Sequence, residues 1–522
     1  MAVGCCMQGR RSSSGALPPV AARVLLPLAL AIFLLHLAIA GGYGWFRDEL
    51  YYIDAGKHLA DGYVEYPPMV ALLAAFQRAV FGPSLTALHV LPAIAGAVIV
   101  VVTGLMAREL GGGRTSQGVA ALAAAVVPAF VGADALFTMD AFDELWWTLA
   151  AYVLLRLLAA RDPRRVDRAA MVMTMGVSDG RLWLLFGLVA GVGLLTKLTM
   201  LAFGLAVTVG LLLTPARAML RTRPPYLAAA LALAFLLPYV AWQTGHDWAT
   251  VAFWRNYHHT QDTATFLIQV ILLMQPLALP LWAASLWYLL CDPDGAPYRA
   301  LGWAFLLLLA LFLVGHAKSY FLVPAFPPLL AAGAVVLERR ARRRPRTPLV
   351  PLTVGALVLG GAALAPVVAP ILPPTTLASL MPSPVQPVAD RFGWPQFIAT
   401  LDRVYRALPP RDRARATILA GNYGEAGAID LLGPDAGLPA AISPHNTYYF
   451  WGQGTTVTSG AVVIATDYQP ADLTPYFASV RQAATVPAQD GIQNEEVGRP
   501  VFVCRGLRLP WPTVWARLKN FS

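Results

Sequence analysis

The sequence is short of charge, of lysine and of pairable cysteine. Only 13% of its 522 residues are charged and 57% are hydrophobic, against about 25% and roughly 45–50% in an ordinary soluble protein. This is too little charge to cover the surfaces of several soluble domains, so most of the chain is expected to lie in a membrane. The four cysteines show neither metal-ligand spacing nor obvious pairs, so neither a zinc site nor a disulfide scaffold is indicated.

Long apolar runs predict the transmembrane helices. A run of about 20 residues is long enough to cross the hydrocarbon of a bilayer, and about eleven such runs precede residue 375. They cover residues 22–41, 86–107, 116–133, 141–160, 182–196, 198–216, 226–243, 264–290, 300–316, 321–338 and 348–372. The sequence therefore predicts a multi-pass α-helical membrane protein.

The basic residues predict how these helices are oriented. Only four of the 39 basic residues are lysines, so the net charge of +10 comes mainly from arginine. Loops at alternate ends carry 21 basic residues on one side and six on the other, and short cytoplasmic loops carry such an excess. The N-terminus is therefore predicted to be cytoplasmic and the C-terminal part extracytoplasmic, in the plasma membrane. Topology explains the arginine blocks, and nucleic-acid binding is not predicted.

The composition changes after residue 372. A proline-rich linker is followed by short apolar strands, such as ATILA and AVVIA, between polar turns that contain glycine. This pattern is typical of a small soluble α/β domain. The predicted organisation is a transmembrane domain at 1–372, with an external loop at 42–85, and an extracytoplasmic domain at 373–522.

Acidic residues cluster in the predicted external loops. Asp48 and Glu49 follow the first span, Glu65 precedes a Pro-Pro pair, and Asp140 lies in the short second loop. Solvated loop acids and helix N-caps are the structural alternatives. A carboxylate at membrane depth is costly, however, and is by default a candidate functional site.

A few cations and aromatics share the same predicted face. One loop contains Arg255 with His258 and His259; Lys197 stands between two apolar runs, and Lys318 and Tyr320 lie at the mouth of a span, as read from the sequence. Interfacial snorkelling is the structural alternative for Lys318. Carboxylates here could take a proton from an acceptor hydroxyl, while the cations, Tyr320 or a metal stabilise a phosphate leaving group. This combination favours sugar transfer from a polyprenyl-phosphate carrier.

The order of several motifs resembles a known family. They are the acidic pair Asp48-Glu49 with the tyrosines that follow it, the run AGKHLADG, TMD at 138–140, GLLTK ending at Lys197, AKSYFLVPAFPPL, and GNYGEAGAIDLLGPDAGLPAAISPHNTYYFWG at 421–452. Together they resemble the polyprenyl-phosphate-dependent GT-C glycosyltransferases, and within them family 39, which contains protein O-mannosyltransferase-like and aminoarabinose-transferase-like membrane enzymes.

The resemblance implies specific roles for the acids. Asp48 matches the catalytic base of the family, and Glu49 beside it is a further catalytic candidate. Asp140 matches the second acid, which orients acceptor or donor. Glu65 matches an acid that helps to hold a divalent metal with histidines from later loops. The histidine candidates here are His258 or His259 and His445.

The resemblance also implies the donor contacts. Lys318 and Tyr320 match the segment beside the donor phosphate. In the family a basic residue stands directly before Pro-Pro, whereas this chain has Tyr66, so donor binding is expected to depend on Arg255, Lys318 or Lys197.

Two functions are compatible with these features. The first is an inverting glycosyltransferase that uses a polyprenyl-phosphate sugar and acts on an envelope glycan, lipid or protein. The alternative is a multi-span transporter or lipid-sugar flippase. Transporters place polar groups near the midplane of the membrane and often contain inverted repeats, whereas the charges here are predicted in external loops.

Overall fold

The computed structural model describes residues 17–162, 168–257, 261–454 and 460–522. Its N-terminal part is a bundle of helices. They are α1 (Ala22–Ile39), α2 (Arg47–Lys57), α3 (Met69–Phe81), α4 (Leu85–Leu88), α5 (Val90–Glu109), α6 (Arg114–Val126), α7 (Pro128–Asp134), α8 (Met139–Ala159), α9 (Arg168–Thr196), α10 (Thr199–Leu212), α11 (Pro224–Phe235), α12 (Leu237–Gly245), α13 (Ala249–Asn256), α14 (Thr263–Leu273), α15 (Leu279–Leu290), α16 (Arg299–Val314), α17 (Pro327–Arg343) and α18 (Leu349–Val368). Short 3-10 helices cover Pro215–Arg221, Pro276–Ala278, Pro293–Tyr298 and Ser319–Ala325.

Many of these helices are long and apolar enough to cross a membrane. Within the described ranges six single stretches meet this condition, and four bent helix pairs raise the number to ten if each pair is one span. The bends range from 56° to 112°. A proline begins the second member of each pair, because proline lacks the amide hydrogen that continues a helix. The predicted multi-span helical protein is confirmed.

The C-terminal part is an α/β domain. Its elements are α19 (Pro374–Leu380), α20 (Gln386–Ala389), α21 (Trp394–Arg406), α22 (Pro410–Arg413), β1 (Ala416–Leu419), α23 (Tyr423–Leu432), a 3-10 helix (Pro434–Ala436), β2 (Ala441–Ile442), α24 (Tyr448–Trp451), β3 (Val462–Thr466), α25 (Pro470–Leu473), β4 (Phe477–Thr485), β5 (Pro500–Leu507) and α26 (Trp511–Leu518). The predicted α/β character is confirmed, and β1 and β3 coincide with the two apolar runs that indicated it. The exact boundary at 372/373 falls between α18 and α19 and stays a prediction.

The five strands form one mixed sheet in the order β2-β1-β3-β5-β4. Strands β2, β1 and β3 are parallel, and β5 is antiparallel to both β3 and β4. One face of the sheet, with Ile418 and Ile464, shares a core with Leu50 of α2. The other face packs Val463 and Phe502 beneath α26. The inner face of the domain is therefore built directly onto the first-loop helix.

The two ends of the bundle carry different groups. His89, just before α5, contacts Glu49 of α2, whereas Arg108, at the other end of this 20-residue helix, donates to the Pro18 carbonyl. Arg342 pairs with Glu338 at that second end, where Glu338 also accepts from the Gly113 amide. The first end, which meets the C-terminal domain, is called the site end below.

Candidate active site

Helix α2 brings two neighbouring carboxylates to the site end. Glu49 is the third residue of the helix and accepts a hydrogen bond from the Phe46 amide at 2.9 Å, which satisfies one free N–H at the helix start. Consecutive helical residues point in directions about 100° apart. Asp48 and Glu49 therefore face different surroundings, although they are adjacent in the sequence.

Asp48 faces the polar side of α2 and is half-buried. The Tyr423 hydroxyl donates a hydrogen bond to Asp48 Oδ1 at 2.8 Å. Burial raises the pKa of Asp48 above its usual range, and the charge of Asp140 adds to this rise. Tyr423, Arg47 and Lys318 act in the opposite direction. Among the described residues no other hydrogen bond reaches this carboxylate, so Oδ2 has no hydrogen-bond partner there.

Glu49 faces the protein core and is fully buried. Its Oε1 accepts from the Phe137 amide at 2.8 Å and lies 2.6 Å from His89 Nε2. Burial acts to raise the pKa of Glu49, but His89, Arg391 and the Phe137 amide outweigh it and hold this pKa below its usual range. Both oxygens of Glu49 are thus occupied, and the side chain joins α2 to the residues before α5 and α8.

Asp140 lies in the first turn of α8 and forms an ion pair with Lys197. The Lys197 side chain is 10% exposed and that of Asp140 is 32% exposed. Lys197 Nζ also lies 4.4 Å from the ring centre of Phe321 and 5.0 Å from that of Tyr320, within cation–π range. The largely buried charge of Lys197 is therefore paired with the carboxylate of Asp140.

Lys318 and Tyr320 stand at the start of the Ser319–Ala325 turn. Lys318 Nζ lies 5.0 Å from the ring centre of Tyr257 and 5.8 Å from that of Tyr320. It forms no ion pair with a carboxylate in the described part of the chain, although Asp48 and Asp140 both interact with it electrostatically. Its half-buried charge is therefore not neutralised by a direct carboxylate contact.

The remaining predicted cation, Arg255, is exposed near the end of α13. No hydrogen bond or ion pair ties it to Asp48 or Asp140 within the described ranges. His258 and His259 lie outside the described residues. The structure thus unites Asp48, Asp140, Lys197, Lys318 and Tyr320 at the site end, and places Arg255 apart from their direct contacts.

Glu65 and His445 are both engaged by groups of the protein. Glu65 accepts hydrogen bonds from the Tyr51 hydroxyl at 2.9 Å and from Thr447 Oγ1 at 3.4 Å, and burial raises its pKa to about 8. His445 Nδ1 accepts from the Tyr423 amide at 3.1 Å, and Nε2 lies 3.2 Å from the Ser522 carbonyl oxygen. Burial lowers the pKa of His445 to about 4. In the described part of the chain no three His, Cys, Asp or Glu side chains are grouped to hold a metal.

Tyrosines fill the space between α2 and the C-terminal domain. The Tyr51 ring is stacked on Tyr423 at 4.7 Å and on Tyr448 at 5.8 Å between ring centres. Tyr66, which replaces the basic residue of the resembled family, is buried against Tyr51 and Tyr52. These buried rings cover one another, so sugar stacking would depend on half-buried rings such as Tyr320.

Sequence reasoning missed three residues at this site. The sequence patterns do not single out Tyr423, Arg47 or Tyr257. The signal for Tyr423 was present in GNYGEAG, where glycines at 424 and 427 lie on one face of a helix. The pattern does not show which helix packs against these two glycines.

Part of the sequence matches the model of a known protein family. Residues 65–178 and 165–242 match the family model described as dolichyl-phosphate-mannose-protein mannosyltransferase. Among curated protein sequences, none matches the chain.

Three solved structures are reported for comparison. The chain is similar to ArnT from Cupriavidus metallidurans bound to undecaprenyl phosphate, with 15% identity and a TM-score of 0.59 over 92% of this chain and 97% of that chain. The apo state of ArnT is also 15% identical, with a TM-score of 0.58, and again covers 92% of this chain and 97% of that chain. The Archaeoglobus fulgidus oligosaccharyltransferase is 12% identical, with a TM-score of 0.48 over 78% of this chain and 63% of that chain.

The ArnT likeness covers almost the whole of both chains and shows a common fold. The family model, which covers the first-loop acid Glu65, α8 and Lys197, adds a sequence match within that fold. The chain therefore has the fold of ArnT, and its residues 65–242 match the mannosyltransferase family model.

Proposed function

We propose that the chain transfers a sugar from a polyprenyl-phosphate carrier to an acceptor hydroxyl, with inversion at the anomeric carbon. One observation carries the proposal: Asp48 and Asp140 meet Lys318 and Tyr320 at one end of the bundle. A carboxylate base and a cation are the groups that such a transfer needs. The likeness to a structure that holds undecaprenyl phosphate supports the carrier class.

Asp48 acts as the general base. Its Oδ2 accepts the proton of the acceptor hydroxyl while the acceptor oxygen forms a bond to the anomeric carbon. The bond from that carbon to the carrier phosphate breaks, and its electron pair leaves with the phosphate oxygen. A single displacement of this kind inverts the anomeric configuration. The raised pKa of Asp48 suits the role, because a base is most effective when its pKa lies near the working pH.

Lys318 stabilises the leaving phosphate. Its charge is not already paired with a carboxylate within the described ranges, whereas Lys197 is bound to Asp140. Lys197 therefore acts mainly by fixing Asp140, which orients the acceptor or donor, and Tyr320 lines the same place. Arg255 is a weaker candidate for the phosphate because it is exposed on α13.

Glu49 holds the base in place. Its bonds to the Phe137 amide and to His89 fix the start of α2 against the bundle, so its contribution is to the position of Asp48. No step of the reaction is assigned to a metal, since Glu65 and His445 are engaged within the protein.

The proposed location is the external face of the plasma membrane. The arginine-rich second end of the bundle supports this placement, because an excess of basic residues marks the cytoplasmic side. The N-terminus is then cytoplasmic and the C-terminal domain extracytoplasmic. The acceptor is a hydroxyl of an envelope glycan, lipid or protein.

The experiment uses the full-length protein in liposomes with a panel of undecaprenyl-phosphate sugars and extracted envelope glycan, lipid and protein. Release of undecaprenyl phosphate and gain of a sugar by the acceptor are measured by mass spectrometry. Asp48→Asn is expected to lower kcat by about a hundredfold or more, the size of a general-base contribution. Asp61→Asn, the same change at an exposed acid of the same loop, is the matched control and should retain activity.

The same assay tests the phosphate contact. Lys318→Met is expected to raise KM for the donor by about tenfold or more, in line with a lost charged hydrogen bond. Full activity of Asp48→Asn would refute Asp48 as the base, and an unchanged KM for Lys318→Met would remove Lys318 from donor binding.

A further inference from the structure

The hydrogen bond to Asp48 comes from the C-terminal domain rather than from the bundle. Tyr423 is the first residue of α23, and 375 positions separate it from Asp48 in the chain. The hydroxyl-to-Oδ1 distance of 2.8 Å is that of a good O–H···O bond. A residue of the soluble domain therefore touches the proposed base directly.

Two glycines allow α23 to approach α2 closely enough for this bond. A Cβ on Gly427 would lie 2.8 Å from the Leu50 carbonyl carbon, and a Cβ on Gly424 would collide with the side chain of Arg47. Any side chain at these positions would push the helices apart. The spacing of three residues places both glycines on the face of α23 that meets α2.

The Tyr423 ring is stacked against two other rings. Its ring centre lies 4.7 Å from that of Tyr51 and 5.3 Å from that of His445, with interplanar angles of 24° and 5°. The Tyr423 amide also donates to His445 Nδ1 at 3.1 Å. Ring and backbone are thus held together, and the hydroxyl has little freedom to leave Asp48.

We propose that Tyr423 is a positioning residue that completes the active site from the C-terminal domain, by holding Oδ1 of Asp48 and directing Oδ2 to the acceptor. The inference rests on the proposed function, in which Asp48 is the base. It goes further by assigning the soluble domain a part in the chemistry. The bundle without this domain would carry Asp48 with its orientation unset.

The bond also affects when Asp48 is ionised. Charged or titratable neighbours reach Asp48 from every side: Arg47 and Tyr52 on α2, Glu65 in the first loop, Asp140 on α8, Lys318 and Tyr320 beside α17, and Tyr423 on α23. Of the groups that favour the ionised form, Tyr423 has the largest effect. Without its hydroxyl the Asp48 pKa should rise, and the base should be protonated over a wider range of pH.

The experiment compares Tyr423→Phe with the wild type in the liposome assay between pH 5 and pH 9. The phenyl ring preserves both stacking contacts and removes only the hydroxyl. We expect kcat to fall by about tenfold, the acid limb of the kcat profile to move upward by about one pH unit, and KM for the donor to stay within about twofold of the wild type, since loss of a contact formed only with the base affects kcat. Tyr405→Phe on α21 is the matched control and should leave the profile unchanged.

The pH profile separates positioning from folding, because a smaller active fraction lowers kcat without moving an apparent pKa. If Asp48→Asn is inactive and Tyr423→Phe has the wild-type profile, the role of Tyr423 is refuted while the proposed function stands. If Asp48→Asn is active, both are overturned.

Discussion

Helices meet in two different ways in this protein, inside the bundle and between α2 and the C-terminal domain. In the bundle, Gly210 lies against the Ala300 carbonyl and Gly333 against that of Leu281, with apolar side chains around them. The α2 contact uses glycines as well, but it surrounds them with buried charge and hydrogen bonds. Apolar packing without directional bonds fixes where a helix lies, whereas the polar contact also fixes where a side chain points.

Arg47 is the centre of the polar contact. Its guanidinium lies 2.5 Å from Glu495, 3.1 Å from Glu496 and 3.9 Å from Asp390, measured between the charged atoms. Its side chain is only 10% exposed. Burial raises the pKa of Asp390 to about 7, and Arg47 limits this rise. The domain contact therefore depends on one cation that neutralises several acids.

We expect Arg47→Met to cause the largest loss of stability, at the polar contact between α2 and the C-terminal domain. Removing one partner of a buried ion pair leaves the acids uncompensated, at a cost of about 3–5 kcal/mol in the free energy of unfolding. Thermal unfolding and limited proteolysis should show early release of the C-terminal domain.

The defect of Arg47→Met should also depend on pH. Without Arg47 the folded-state pKa of Asp390 rises further above its unfolded value, so ionisation increasingly favours the unfolded state as pH rises. The defect should be larger at pH 8 than at pH 6. Arg403→Met, at an exposed arginine on α21, is the control. An equal loss from both variants would contradict the central role of Arg47.

Two glycine substitutions should have a smaller effect on stability, and they compare the apolar contact in the bundle with the polar contact between α2 and α23. Gly427→Ala and Gly210→Ala both add a methyl group where backbone lies too close, and overpacking costs about 1–3 kcal/mol. We expect Gly210→Ala to lower the unfolding temperature of the bundle while each folded molecule keeps its activity. Gly427→Ala should instead lower kcat about tenfold, because it separates Tyr423 from Asp48 and loses a charged hydrogen bond.

Gly204→Ala in α10, where a Cβ would have nothing within 4 Å, controls for helix propensity. Circular dichroism and activity per folded molecule provide the two measurements. If Gly210→Ala and Gly427→Ala changed activity per folded molecule equally, the contrast between apolar and polar contacts would fail.

We expect Glu65→Gln to have the smallest effect on activity and stability at pH 7. Burial raises the pKa of Glu65 from its usual 4.5 to about 8, so the carboxyl is mostly protonated at pH 7 and glutamine imitates it. In the wild type the unfolded state ionises first, and stability should fall as pH rises from about 4.5 to about 8. Glu65→Gln should lack this fall and keep near-normal activity at pH 7.

Glu49→Gln provides the contrast, because the pKa of Glu49 lies below its usual range and the ionised form is the one that is bound. It should be destabilising at pH 7. Thermal unfolding of both variants across this pH range makes the comparison. A strong loss of activity for Glu65→Gln at pH 7 would show that the ionised form of Glu65 is needed.

Local patterns in the sequence predicted most of the fold. The run at 22–41 became α1, and the run at 86–107 became α5, since length and hydropathy are properties of a single segment. The run at 264–290 contains Pro276, but its length and hydropathy do not specify the 83° bend between Leu273 and Pro276. That bend depends on how α14 and α15 pack against other helices as well as on the proline.

The candidate site was predicted only as a set of residues on one face. Asp48 and Asp140 are close enough for their charges to interact, in keeping with their predicted positions at the same membrane surface. Only the family resemblance separates Asp48 from Glu49 in the sequence, because which face of a short helix meets the core depends on what packs against it. The contact of Asp48 with Tyr423 depends on the tertiary fold across 375 positions, and no local periodicity encodes it.

The close approach of α2 and α23 has a consequence for how this chain varies among relatives. Arg47 and Leu50 leave room only for hydrogen at positions 424 and 427. A larger residue at either glycine requires a compensating change on α2, so the two segments should be inherited as a matched pair. We therefore expect exchange of the C-terminal domain between distant homologues to disturb this contact.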